Sequence, residues 1–490
     1  MNQGQQPQDR IEPWVWRITG VVIVGMVMSI LDTTIVNVAL HTLSEDLETT
    51  LTQIQWVVTG YLLALAAVIP LTGWSARRFG AKRVYLVSIA LFTLGSAFCA
   101  LSDSSTELIL FRVLQGLGGG MIMPLAQMIM AEVAGPKRMG RVMGVVVMPA
   151  MLAPILGPVV GGLILQNLHW SWIFLVNVPI GIVALVLAWR LLPESELGEA
   201  GDLDWLGLAL MVTSMPLVVY GLSEIGSRGT FTAPTVIWPI VGGLFLTAVF
   251  AWHALRVERP LLDVRLYSNR IFSAASLTTF GLGAALFGAM ILLPLYYQEV
   301  RGESVIVTGL LTGPQGLGML VVAPFTARLT ERFGGGRVAF VGVALLSLTT
   351  LPFAFLGADT SIIGISLLLV LRGAGIGLSF IPTTTVAFAS LRTDQLSDAT
   401  PQMNVLQRVG GAIGTAVLAV VLQRAAAGAH TSAELAGAYG TAFWWALGIS
   451  VLSLIPVLVL FRAENQRAPG APAEREAEEV AESEVEPLGA

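Results

Sequence analysis

Apolar residues run along this chain in long blocks separated by short polar turns. The blocks fall at residues 16–40, 54–73, 83–102, 107–131, 142–165, 172–192, 204–222, 234–254, 271–298, 305–327, 338–357, 361–381, 402–423 and 440–461. A helix of about 20 such residues crosses the roughly 30 Å hydrocarbon layer of a bilayer, whereas a barrel strand needs only about ten. Only helices and closed barrels satisfy the backbone in lipid, so runs of this length predict fourteen membrane-spanning helices and an all-α polytopic membrane protein.

Basic residues test that count, because loops on the cytoplasmic side carry an excess of Arg and Lys. Alternate segments hold Arg10 and Arg17, Arg77 to Arg83, Lys137 to Arg141, Arg190, Arg256 to Arg270, Arg328 to Arg337, Arg392, and Arg462 onward. The intervening loops contain only Arg228, Arg301 and Arg424. This alternation puts both termini in the cytoplasm and requires an even number of spans, in an inner or cytoplasmic membrane.

Composition excludes an ordinary soluble protein: 55% of the 490 residues are hydrophobic, 12% are charged, and the mean hydropathy is +0.77. The formal charge of −5 says little about partners, since eight glutamates lie from Glu464 onward. No nucleic-acid footprint is visible. A single cysteine, Cys99, precludes an internal disulfide and reads as packing. The first apolar run is too long for a secretory signal, contains Asp32 and follows Asp9 and Glu12.

An internal repeat organises the runs. GWSARRFGAKR, Gly73 to Arg83, matches ARLTERFGGGR, Ala327 to Arg337, and Gly116, Gly118 and Gly120 recur as Gly373, Gly375 and Gly377. The expected layout is a cytoplasmic tail (1–13), a six-helix bundle (14–192), a loop (193–203), two inserted helices (204–254), a loop (255–270), a second six-helix bundle (271–461) and a disordered acidic tail (462–490). Paired bundles of this kind build alternating-access transporters, with the site near the midplane between them.

Candidate chemistry begins with Asp32, which stands inside the first apolar run. An ionised Asp at the centre of a membrane helix costs about 2.5 to 3.5 kcal/mol on insertion scales, so it is expected to face helices or water and to bind a proton or ligand, the alternative being that it only bonds neighbouring helices or snorkels. Counting at about 1.5 Å per residue places Arg112, in the fourth run, within a helical turn of the depth of Asp32. A nearby guanidinium favours an ionised carboxylate and dehydration favours the neutral form, so a cavity that opens and closes can drive a proton on and off. The alternative is that Arg112 only caps backbone carbonyls.

The fifth run holds Pro149, Pro154 and Pro158 among Gly157, Gly161 and Gly162, and predicts a kinked, closely packed helix. Arg77, Arg78, Arg83, Glu331 and Arg332 are candidates for a cytoplasmic gate, or else determine topology alone. Gln55, Trp56, Gln115, Met148, Met151, Tyr296, Tyr297, Gln298, Gln315, Asn404, Gln407 and Arg408 are candidate cavity lining, suited to large amphipathic molecules. The chain carries no G-x-x-x-x-G-K-[ST] loop for ATP and no G-x-S-x-G nucleophile, and its four histidines are scattered. No cofactor and no enzymatic activity are therefore expected.

Several of these strings resemble the fourteen-helix drug:proton antiporters of the major facilitator superfamily: LDTTIVNVAL in the first run, RVLQGLGGG in the fourth, APILGPVVGG in the fifth, HWSWIFLVNVPIG at 169–181 and NVLQRVGGAIGTA at 404–416. The resemblance implies proton-driven export, with Asp32 as the proton-coupled acid, Arg112 as its modulator and the fifth run sealing the pathway against leak. The chain departs from the family pattern at Arg77, where an acid is expected, and at Ala81, Ala153 and Ser171. The expected function is multidrug efflux of amphipathic, cationic drugs by a monomer, with protons and membrane lipids as further partners and the need for a periplasmic adaptor open. A dedicated exporter of one endogenous compound, or a transporter-like sensor, are the alternatives.

Overall fold

A computed structural model describes residues 12–194, 201–392 and 395–466. The expected tails therefore lie almost wholly outside the described residues, as do the side chains of Met148, Met151, Pro154 and Pro158. Among the described residues thirteen helices are long and apolar enough to cross a membrane. In the N-terminal half these are α1 (Pro13–Asp46), α2 (Trp56–Phe79), α3 (Ala81–Ala100), α4 (Ser105–Asn167) and α5 (Trp172–Leu191). Then come α6 (Trp205–Arg228) and α7 (Pro234–Ala254), followed by α8 (Arg270–Val300), α9 (Ile306–Phe333), α10 (Gly335–Phe355), α11 (Ile362–Ala389), α12 (Leu396–Ala426) and α13 (Ser432–Asn465).

The fourteenth traverse is inside α4. Arg112 meets Asp32, while a Cβ on Gly157 would overlap the Thr34 hydroxyl. A straight helix would separate residues 112 and 157 by about 68 Å, so two contacts on one turn of α1 require α4 to fold back. Its two limbs cover the predicted runs 107–131 and 142–165.

The sequence repeat is a structural repeat. A Cβ on Gly116 would press on the backbone of α2 at Tyr61, and one on Gly373 on the backbone of α9 at Gln315. In the same way Gly118 backs onto α3 at Phe92 and Gly375 onto α10 at Leu346. The matched turns agree in detail: Gly80 has φ 87° and ψ 137°, and Gly334 has φ 84° and ψ 144°. That region is open essentially to glycine alone, which is why both halves keep a glycine there.

The inserted pair α6 and α7 seats at the seam between the halves. Met211 and Met215 pack with Ala66 of α2, while Val218, Leu222 and Ile225 pack with Ala416 and Val420 of α12. Asp204 fastens the pair by accepting from Gly207 N (2.8 Å) and Leu261 N (3.2 Å) and by bonding His253 Nε2 (2.8 Å). The last helix runs to Asn465, past the predicted start of the acidic tail at residue 462. Glu464 is not free tail: its carboxylate accepts from Gly335 N (3.0 Å) and Gly336 N (2.6 Å), where unpaired N–H groups favour an anion.

Candidate functional site

Five helices of the N-terminal half converge on Asp32, which has no exposed surface. Arg112 Nη1 donates to Asp32 Oδ2 at 2.6 Å, and Gln115 Nε2 and Asn177 Nδ2 donate to Oδ1 at 2.9 and 2.8 Å. The spacing of RVLQ places Arg112 and Gln115 one turn apart on α4, so both reach the same carboxylate. Arg112 Nη1 also donates to Gln115 Oε1 (2.7 Å) and its Nε to the Val57 carbonyl (3.2 Å). The guanidinium lies over the Tyr61 ring at 4.1 Å, with Phe174 at 5.7 Å.

An outer layer holds these donors in place. Asn177 Nδ2 also donates to Ser96 Oγ (3.1 Å), whose hydroxyl donates to the Phe174 carbonyl (3.0 Å). The close approach is made by glycines: a Cβ on Gly95 would lie 2.8 Å from Gln115 Cα, and one on Gly119 would lie 2.8 Å from the Tyr61 hydroxyl. A buried ion pair survives only when its remaining valences are met, and here Gln115, Asn177 and the Val57 carbonyl meet them.

Asn177 was missing from the sequence-derived candidates. Its signal was an amide inside the apolar VNVP segment, but nothing in one sequence ties position 177 to position 32. Gln115, expected as cavity lining, belongs instead to the carboxylate cluster.

The other candidates divide between seam, gate and packing. Gln55 and Trp56 are exposed at the start of α2, where Trp56 stacks on Tyr220 of the inserted α6 at 5.8 Å. Tyr297 is buried against Tyr296 in a wide turn at the end of α8, and Gln298 beside it is partly buried. Gln315 accepts from Arg372 Nη1 at 2.9 Å. Asn404 crosses the seam, donating to Gln127 of α4 at 2.8 Å, while Gln407 is buried with its backbone carbonyl against Gly283. Arg408, one turn beyond Asn404 on α12, is half-buried. Gly157 and Gly161 pack on Thr34 and Ile35 of α1, and Gly162 faces Ile306 of α9 across the seam.

Of the gate candidates, Arg77 reaches across the seam. Arg77 Nη1 reaches Asp398 Oδ1 at 2.9 Å and Ser397 Oγ at 2.6 Å, so an acid that meets it across the seam comes from α12. A Cβ on Gly73 would overlap the Ser397 carbonyl, which keeps the two ends in contact. Arg78, Arg83, Glu331 and Arg332 are exposed at the same end, Arg332 lying 5.2 Å from the Phe333 ring.

A family profile described as Major Facilitator Superfamily matches residues 22–415. The chain is 39% identical over 418 residues to the "Multidrug resistance protein B homolog" of Mycobacterium tuberculosis, a match covering 84% of this chain and 77% of that one. It is 31% identical over 408 residues to the "Multidrug export protein EmrB" of Haemophilus influenzae, covering 82% and 80%. Among solved structures, the proton:xylose symporter XylE superposes with a TM-score of 0.63 at 15% identity, covering 90% of this chain and 94% of the other. The human organic anion transporter MFSD10 superposes with a TM-score of 0.62 at 17% identity, covering 91% and 100%. By the profile, by its relatives and by the repeated helical halves, the chain belongs to the Major Facilitator Superfamily.

Proposed function

We propose that the protein is a proton-coupled antiporter that exports amphipathic drugs across the cytoplasmic membrane, with both termini inside. The observation that carries this reading is the enclosure of Asp32 by Arg112, Gln115 and Asn177 with no exposed surface. A charge kept there at this cost calls for a working reason. A proton on Asp32 removes its negative charge and weakens its hold on Arg112. The guanidinium is not then left bare, because Gln115 Oε1 and the Val57 carbonyl still accept from it. Proton uptake thus changes the packing of α1 against α4 and α5 without stranding a cation, and substrate release is tied to that change. One charge crossing 100 mV is worth about 2.3 kcal/mol, enough to drive appreciable accumulation.

The names of the relatives support drugs as substrates. Asp32 supports cations among them, although a cation must compete with Arg112 for it. A second reading, export of amphipathic anions, is favoured by Arg408: it is partly exposed, and no hydrogen bond or ion pair joins it to another described residue. The deciding experiment is a drug-stimulated pH-change assay in proteoliposomes, run with matched cationic and anionic amphiphiles on the native chain and on Asp32→Asn. Proton movement that needs both drug and Asp32 supports antiport, and unchanged coupling in the Asn variant removes Asp32 from the mechanism. A chain that binds drug while moving neither drug nor protons would be a sensor.

A further inference from the structure

One cavity lies away from the seam. A groove of about 1190 Å³ opens on the outer face of the C-terminal half, between α8, α12 and α13. Small residues and a broken helix create it: Gly281, Ala284 and Gly448 line it, and α13 is interrupted at Ser453, three residues before Pro456. Its walls face the hydrocarbon, since Leu277, Leu452, Ile455 and Val459 are each at least 50% exposed.

Charge is confined to one end. Arg270 and Arg462, both exposed, lie there with Tyr267 and Gln466, and no carboxylate lines the groove. The nearest acid in sequence, Glu464, is held by the N–H groups of Gly335 and Gly336. Trp444 and Trp445 mark the other end, and the 18 residues from Trp444 to Arg462 span about 27 Å along α13. The groove thus presents two cations at one end and an apolar channel along the rest of its length.

We propose that this groove is a specific site for an anionic phospholipid of the leaflet on the side of the termini. Its phosphate sits between Arg270 and Arg462, and its acyl chains lie along α8 and α13. Guanidinium pairs match phosphate oxygens in geometry as well as charge, and basic pockets between membrane helices on the cytoplasmic side hold anionic headgroups. The site is independent of the transport reading, because none of its residues touches the Asp32 cluster.

Native mass spectrometry of the full chain in detergent tests it, with an equimolar mixture of phosphatidylglycerol and phosphatidylcholine of matched acyl chains. The native chain is expected to retain phosphatidylglycerol about tenfold over phosphatidylcholine, and Arg270→Gln/Arg462→Gln to retain both equally. Gly448→Phe supplies a second route: a Cβ there meets nothing within 4 Å, so the ring enters the groove without disturbing the helix packing. That variant is expected to lose retained lipid of both kinds with the arginines intact. Arg228→Gln, on α6, should behave as the native chain. Equal retention of the two lipids by the native chain overturns the proposal, as does an unchanged preference in the double variant. A lipid-free dimer, with a second copy in the groove, would overturn it too.

Discussion

In the N-terminal half Arg112 has a carboxylate, an amide oxygen and a backbone carbonyl as acceptors. In the C-terminal half the corresponding space holds Arg372, equally buried, which donates to Gln315 Oε1 at 2.9 Å and more weakly to the Ala285 carbonyl at 3.5 Å. No carboxylate lies near it among the described residues, and its Nε has no acceptor. Counting from the matched glycines, Arg372 stands at the position of Gln115, Gln315 at that of Tyr61, and Leu369 at that of Arg112. Duplication kept the glycine register, which sets how close the helices come, and let the charges drift apart. One half has a balanced ion pair that a proton can perturb, and the other has a fixed cation with no acid to exchange with. On the proposed function, coupling chemistry would belong to the N-terminal half, with the C-terminal half contributing packing and a buried cation.

The sharpest break of this contrast is Asp32→Asn, expected to lower drug-stimulated proton movement by about a hundredfold or more, while Arg372→Met leaves it within about twofold. The factor follows from removing the only group assigned to carry the proton. Next is stability. Arg112→Met leaves Asp32 buried without its cation and should cost about 3–5 kcal/mol, whereas Arg372→Met breaks no ion pair and should be neutral or stabilising. Thermal unfolding in detergent reads both, and an equal loss in the two variants would end the asymmetry.

Asn177→Ala removes one donor to a charged acceptor and should cost about 1.5–3 kcal/mol. Because Gln115 and Arg112 remain, coupling should fall less than in Asp32→Asn. The smallest expected effect is at the gate: Asp398→Asn weakens a partly exposed pair worth about 1 kcal/mol or less. That moves the balance between the two faces by at most about fivefold, a change measurable as cysteine accessibility at the seam, with no change in unfolding temperature.

Much of the architecture was legible before any coordinates. Hydrophobic length, basic loops and the two glycine-centred turns specify a repeated bundle, because the bilayer enforces span length and charge side, and because backbone approach and positive φ admit little besides glycine. What stayed hidden was partnership. Arg77 looked like an anomaly in its turn, yet its acid is Asp398, 321 residues away in the chain. Trp56 looked like cavity lining and packs on an inserted helix, since an aromatic at a helix start serves either role and only the neighbour decides.

By itself, the sequence determined that an acid and an arginine lie at similar depth in lipid, since rise per residue along a helix is nearly constant. Only the tertiary structure decided that they touch, that Gln115 and Asn177 complete the shell, and that Arg372 has no such shell. Which helix faces which depends on packing among all of them at once, and no local spacing encodes it.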